Sequence, residues 1–367
     1  MKSLRKLLTR ITNKLGRKLY DVYLFLLFLK RHLNKEYSRP STAPCVWLDI
    51  NGNSYVRYSY TLTKYFELQG YQVYMRPNAS FLLSLGDNYA RLILQENKTK
   101  FSAKKPENAV AAYSDRVKNQ PGLKFISNDY FSSIYEKNES SYHIPIGSHP
   151  NMYRKGTWNT PLVPGKRTAS IFFAGNFDEL EYKRLEAENK FKMMDRVRIG
   201  TLIRSLPNCR FPKSAEELLG NQEAGKIDIV DKANFTVPSD TLRQTISGYY
   251  YFLACPGVAM PLSHNVYEAM SAGTIPIIHK SYATMFEPSL EHRVNAIFYD
   301  DDTLLEAVKE ALEVPVDLLQ QMVTNVNSYY TNHLTPEAIV RELISPKYKT
   351  CFLNAERRST ELFQVRP

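Results

Sequence analysis

The chain has 367 residues, long for a single core, and 43% of them are hydrophobic, which is enough to build two. The formal net charge is +11, yet residues 1–39 hold eleven Lys and Arg against only Asp21 and Glu36, a net of +9, so the remaining chain is close to neutral. That distribution excludes the basic, aromatic-laced groove of a nucleic-acid binder, and Cys45, Cys209, Cys255 and Cys351, with no CxxC pair, exclude a zinc ribbon or a disulfide framework and fit a reducing compartment.

Within the basic leader, Leu4, Leu8, Ile11, Leu15, Leu19, Val22, Leu26, Leu29 and Leu33 recur at steps of three and four. This spacing draws one apolar stripe along a helix, with the cations largely off it. The densest apolar run, 22–29, is far short of the roughly 20 residues that cross a bilayer, and no small-residue cleavage site follows it. The expectation is an amphipathic helix over 1–39 lying on an anionic membrane surface; the plain alternative is a helix packed on the body or on a second copy.

A short Pro/Ser/Thr linker, 39–44, leads to a strand over 45–50 that ends in Asn51-Gly52-Asn53. A helix over 58–68 and a strand over 71–75 complete a β-loop-α-β unit, and further strands are expected at 109–113, 124–126 and 143–146. Residues 147–165 are rich in Pro and Gly and read as a boundary, giving a Rossmann-like domain over 40–150. Alternation then resumes: a strand over 169–174 ending at Gly175, a long charged helix within 186–206, a strand and loop over 227–237, and a short helix over 239–246. Strands over 249–255, 274–279 and 295–299 and helices over 264–271 and 303–313 follow. The second domain is placed at 165–335, with a helix and tail over 336–367. The fold class is α/β, two parallel-sheet domains facing each other across a cleft.

The chemistry concentrates in YYYFLACPGVAMPLSHNVYEAMSAGTIPIIHK, residues 249–280. A buried strand delivers the chain to Cys255, and Pro256-Gly257 makes a loop whose backbone can approach a ligand. Ser263 stands at a helix N-cap, so the N–H groups of the first turn, with the helix dipole, suit a diphosphate. Glu268 lies one turn further in, where a carboxylate can accept hydrogen bonds from ribose hydroxyls. An ordinary capped βαβ unit would account for the same pattern without a ligand.

This stretch resembles the donor-binding region of exostosin-like glycosyltransferases, members of the GT-B class. The family pattern is a serine-proline-arginine-valine-valine-glutamate-alanine helix followed by glycine and isoleucine-proline-valine; here the run is Ser263-His264-Asn265-Val266-Tyr267-Glu268-Ala269, then Gly273, Ile275, Pro276 and Ile277. The resemblance implies a nucleotide-sugar donor, no further cofactor and no bound metal, with Glu268 on the ribose and Ser263, His264 and Asn265 at the phosphates. It also implies donor contacts from Gly175 and Gly257. Asn265 replaces the family's Arg, so the cation offsetting the diphosphate must come from elsewhere, with Arg198, His264, Lys183 and Arg243 as candidates. Met260 stands where many retaining GT-B enzymes carry a second Glu, which favours inversion. HIPIGSHPNMY, 143–153, and IFFAGNF, 171–177, are similar to the hinge and the first donor-domain strand of that class.

Transfer also needs a base for the acceptor hydroxyl. Asp49, at the end of the first strand, leads, with His143 next and Asp87, Asp129 and His149 behind them; Asp300-Asp301-Asp302 reads as a helix cap rather than a metal site. The leader makes the expected acceptor a lipid-linked glycan at the inner face of the cell membrane, in synthesis of a surface polysaccharide or lipopolysaccharide by a cytoplasmic, peripheral enzyme. Two other readings follow from the same residues. One is a non-catalytic, membrane-associated nucleotide-binding protein; the other, from the sequons at Asn78, Asn97, Asn138 and Asn234, is a lumenal type II transferase.

Overall fold

The computed structural model describes residues 16, 18–20, 22–30, 42–50, 56–76, 87–116, 118, 120–134, 138–182, 190–220 and 222–363. Leu4, Leu8, Ile11, Leu15 and Leu33 of the leader, Asn51-Gly52-Asn53, Asn78 and Lys183 lie outside them. The chain divides into two compact units. The first takes Met1–Asn128, Asn138–Tyr142 and Val340–Ala355; the second takes Asp129–Lys137, His143–Ile339 and Glu356–Pro367. The crossing therefore falls at Tyr142 and His143, ahead of the Pro/Gly-rich stretch. That stretch belongs to the second unit and contains the helix Pro150–Lys155, capped by His149. The segment expected as a tail is shared, since residues 340–355 return to the first unit.

The first sheet has β1 (Cys45–Asp49), β2 (Gln72–Met75), β3 (Lys100–Phe101), β4 (Ala109–Ser114), β5 (Lys124–Ser127), β6 (Ser141–His143) and β13 (Thr350–Phe352), in the order β3-β2-β1-β4-β5-β13-β6, and all of these residues but His143 belong to the first unit. All five residues of β1 are buried, as a parallel strand covered on both faces requires. The helix Val56–Leu68 buries every residue from Tyr58 to Phe66. A second helix, Asn88–Glu96, was not expected; Asp87 caps it by accepting from the Tyr89 N–H at 2.7 Å. The order reverses between β1 and β4, the point where open α/β sheets bind ligands beyond their carboxyl ends.

The second unit has β7 (Thr168–Gly175), β8 (Cys209–Arg210), β9 (Ile227–Asp231), β10 (Tyr249–Ala254), β11 (Ile275–His279) and β12 (Ile297–Tyr299), in the order β12-β11-β10-β7-β9-β8. All its pairings are parallel. The two parallel sheets, seven and six strands with connecting helices, are the doubly wound α/β fold class read from the sequence. Phe172 stacks on Tyr249 at 5.0 Å in the core. Asp228, with no exposure, accepts from Arg210 and from the Tyr249 hydroxyl, each at 2.8 Å, and burial with that carboxylate pushes the phenol's pKa up. Here the order reverses between β7 and β10.

The charged helix expected within 186–206 runs over Arg196–Arg204, because the Asp195 side chain accepts from the Arg198 N–H and fixes the start. In the leader, residues 18–20 and 22–30 are helical. Leu24 and Phe28 are buried on the first unit, Phe28 meets Phe101 edge-on at 5.0 Å, and Tyr20 takes a hydrogen bond from Gln95 and lies under Arg91. Leu19, Val22, Tyr23 and Leu26 occupy another face and are more than half exposed. Among the described residues no helix is long and apolar enough to cross a membrane.

Candidate functional site

Gly175 ends β7, and the strand that neighbours it, β10, feeds the loop 255–262 into the helix His264–Ser271, called here the His264 helix. A cavity of about 420 Å3 opens at this reversal of strand order. Gly175, Ser263, His264, Asn265 and Glu268 all line it, and so do His149, Arg196, Lys155 and Lys232. Three cations against one carboxylate make it a place for an anion. Its other wall, Val230, Phe235, Val237, Leu242, Ile246 and Phe252, is apolar and suits a flat ring.

Ser263 occupies the N-cap, with φ −127° and ψ 139°, but its hydroxyl caps nothing; its own N–H donates to the Tyr282 hydroxyl at 2.6 Å. Orphan N–H groups of the first turn are the usual anchor for a phosphate. Asn265 Oδ1 is out of solvent with no hydrogen-bond partner, and the same holds for Arg196 Nε. A buried polar atom left unpaired costs about 1–3 kcal/mol, and both residues line the cavity.

Arg196 is 7% exposed, is held by the Pro256 carbonyl at 2.9 Å, and packs over Phe173 and Tyr182. Arg198, the residue singled out in the sequence, is exposed and does not line the cavity. Arg243 does not line it either; its guanidinium binds Ser271 Oγ at 3.2 Å and the carbonyls of Ser271 and Thr160, which places it at the far end of the His264 helix. Gly175 has no room for a side chain, since a Cβ there would come within 2.5 Å of Phe173 and 3.0 Å of Arg196. Gly257 serves the turn: its N–H donates to the Pro261 carbonyl at 3.0 Å, a Cβ would sit 2.7 Å from Met260 O, and it is not among the lining residues. Burial pushes the neighbouring Cys255 thiol up to about 12, so it stays protonated and is no nucleophile.

Glu268 is 6% exposed, and one of its oxygens accepts from the His149 N–H at 3.0 Å. The rings of His149 and His264 meet edge-on at 5.4 Å beside it. Gly147 O can only accept, so the His264 Nδ1 2.9 Å away carries a proton and Nε2 is the acceptor of the neutral ring. His149 has the reverse arrangement, because its Nδ1 accepts from the Asn151 N–H at 3.2 Å. The histidine pair was legible only in part, since nothing in the sequence joins 149 to 264.

Neither of the two residues expected as bases lines this cavity. His143 is 4% exposed, with Nε2 2.9 Å from Ser133 Oγ and the Tyr130 ring edge-on at 5.3 Å, a setting for a core histidine. Asp49 is 4% exposed in the first unit, with Arg76 Nη1 3.0 Å from Oδ2 and Arg116 Nε 3.0 Å from Oδ1. Asp300 caps: its Oδ1 takes the Thr303 hydroxyl at 2.8 Å and the Thr303 N–H at 3.1 Å, and these bonds hold its carboxyl below its ordinary range. Among the described residues no group of three or more His, Cys, Asp and Glu could hold a metal ion.

No family model and no curated protein matches the chain. Solved structures similar to it include a sucrose-phosphate synthase (tll1590) from Thermosynechococcus elongatus, 12% identical at a TM-score of 0.41 over 82% of this chain and 97% of that one. Another is Anabaena Alr3699/HepE in complex with UDP-glucose, 10% identical at a TM-score of 0.40 over 82% and 98%. A third is an alpha,alpha-trehalose 6-phosphate synthase from Burkholderia multivorans, 10% identical at a TM-score of 0.35 over 90% and 75%.

Proposed function

We propose that the second unit binds a sugar nucleotide and that the chain is a glycosyltransferase of the GT-B class, related to the exostosin-like enzymes and working without a metal. One observation carries this reading: Glu268 is buried one turn into a helix whose N-terminus opens on a cationic, half-apolar cavity at the strand-order reversal. The diphosphate would take the first-turn N–H groups, Asn265 being neutral, with Arg196 and Lys232 supplying the charge that an Arg at 265 would otherwise give. The ribose would bond Glu268, and the base would lie on the wall of Val237 and Phe252. His264, when protonated, donates from both ring nitrogens and adds a charge facing the leaving group; Met260 in place of a second Glu supports inversion. Hexosyl or closely related transfer is the expected chemistry.

A base must surrender a lone pair to the acceptor proton. Asp49 Oδ2 is taken by Arg76 and its Oδ1, beside Arg116, is out of solvent, and His143 has Ser133 on Nε2, so neither is set up for that step, and their neighbours favour holding roles. The leader supports the acceptor side: its exposed face of Leu19, Val22, Tyr23 and Leu26, on a segment of net charge +9, fits an anionic lipid surface and a lipid-linked glycan acceptor there. On this reading the enzyme is cytoplasmic and peripheral and builds a surface polysaccharide or lipopolysaccharide.

The test is a thermal-shift screen of nucleoside diphosphates and their sugars. A ligand at a hundred times its Kd adds about 2.7 kcal/mol, a rise of roughly 5–10 °C for a unit of this size. One base is expected to stand out, and Glu268→Ala to abolish its shift while leaving the unliganded midpoint within a few degrees. If no nucleotide moves the midpoint at millimolar concentration, the proposal fails; binding without hydrolysis or transfer selects the non-catalytic alternative.

A further inference from the structure

We propose that the carboxyl edge of the first sheet carries an oxyanion site, a fork made by Arg76 and Arg116 on the anchor Asp49, and that its ligand is the phosphate or carboxylate group of the acceptor. The binding itself stands without the transfer reading; calling the ligand the acceptor rests on it.

Asp49 is the last residue of β1, Arg76 follows β2 directly, and Arg116 lies just past β4. Since the strand order reverses between β1 and β4, the group sits where an open parallel sheet leaves a crevice beyond its strands. The same relation in the second unit holds the cationic cavity described above.

One buried carboxylate is balanced by one cation, yet two guanidinium groups converge on Asp49, one on each oxygen. Arg76 donates a hydrogen bond to Oδ2, whereas Arg116 stands against Oδ1 as an ion pair, Oδ1 itself having no hydrogen-bond partner; the side chain of Arg76 is 42% exposed and that of Arg116 34%, so both reach solvent. Neither guanidinium has another acceptor among the described residues. A guanidinium offers five N–H donors in a plane, a pattern that fits a carboxylate or phosphate with two parallel bonds. Asp49 thus holds the two cations in place, and their remaining donors define a second oxyanion position outside it.

The alternative is that both arginines serve only to neutralise Asp49, and the variants can separate the two. Asp49→Asn removes the buried charge and frees the nitrogens that faced it. Asp49→Asn with Arg76→Gln and Arg116→Gln removes the cations too, leaving no uncompensated charge inside. Calorimetric titration with inorganic phosphate and with pyrophosphate is expected to show D49N binding at least as tightly as the wild type and the triple variant at least tenfold more weakly. D49N/R116Q, with one guanidinium left, should fall between, and it stands in if the triple variant does not fold. An acetate titration separates the sources: loss of phosphate binding alone indicates a phosphorylated acceptor, and parallel loss of acetate binding a carboxylate-bearing one. The cavity around Glu268 is unaltered in every variant, so its own phosphate binding cancels, and the nucleotide screen is independent of this result. Equal affinities for D49N and the variants without the arginines, or no phosphate binding by D49N, would overturn the site.

Discussion

Arg196 and Arg198 stand in the first turn of one helix and meet different surroundings: the first is buried against Phe173 and Tyr182 at the cavity, the second is exposed. Arg196→Gln should weaken nucleoside diphosphate binding at least tenfold, a loss of about 1.4 kcal/mol or more. Arg198→Gln should leave it within twofold, and Arg196→Lys should restore part of the charge but not the contact with the Pro256 carbonyl. Titration calorimetry on the three proteins checks this, and equal effects at 196 and 198 would remove Arg196 from the site. The sequence pointed to Arg198 because the surrounding stretch reads as one long charged helix, in which no face is marked. The informative signal was Asp195: a side chain that caps at Arg198 N–H starts the helix at 196 and so decides which arginine turns inward. Glu268, by contrast, was legible, since its place relative to the helix start, Ser263 and Gly273 is set within ten residues of chain.

The His264 helix treats its two ends differently. At the C-terminus, Gly273 adopts φ +69°, Arg167 donates to the carbonyls of Ala272 and Gly273, and Arg243 donates to that of Ser271 at 2.7 Å. The negative end is thus neutralised by protein, while the N-cap hydroxyl leaves the positive end to others. Gly273→Ala would bring a Cβ within 2.6 Å of Asn327 Oδ1 and force a left-handed backbone on an L residue. The expected destabilisation is about 1–3 kcal/mol by urea unfolding, with Asn327→Ala recovering part of it; a loss below a few tenths would show that the cap is not strained. Hydrophobic runs made β1, β7, β10 and β11 readable, because a strand covered on both faces is apolar throughout. Strands of two or three residues, β3, β8 and β13, carry no period to detect, and their neighbours in the sheet define them instead.

At the scale of the molecule, the described part of the leader has apolar residues on two faces. Leu24 and Phe28 join it to the first unit, and Leu19, Val22, Tyr23 and Leu26 face outward. Phe28→Ala should lower the thermal midpoint, a buried Phe being worth about 3–5 kcal/mol. Replacing the four outward residues with Ser should leave the midpoint unchanged and cut sedimentation with phosphatidylglycerol vesicles; unchanged sedimentation would remove the membrane from the reading. The sequence showed one stripe and could not show the second, since Tyr20, Leu24 and Phe28 declare themselves as a face only once Phe101 and Gln95 lie against them. The strand β13 has a different consequence. It lies between β5 and β6, with the Phe125 N–H donating to Lys349 O and the Leu353 N–H to Ser127 O, each at 2.8 Å. On the ribosome, residues 350–352 emerge only after all six strands of the second unit, so the half of the molecule that is translated first must wait to close its sheet. Until then β5 presents an open edge, the kind of edge that pairs with neighbouring chains. Order of synthesis and order of completion are therefore opposite, and a fragment cut at the boundary between the units would keep that edge permanently.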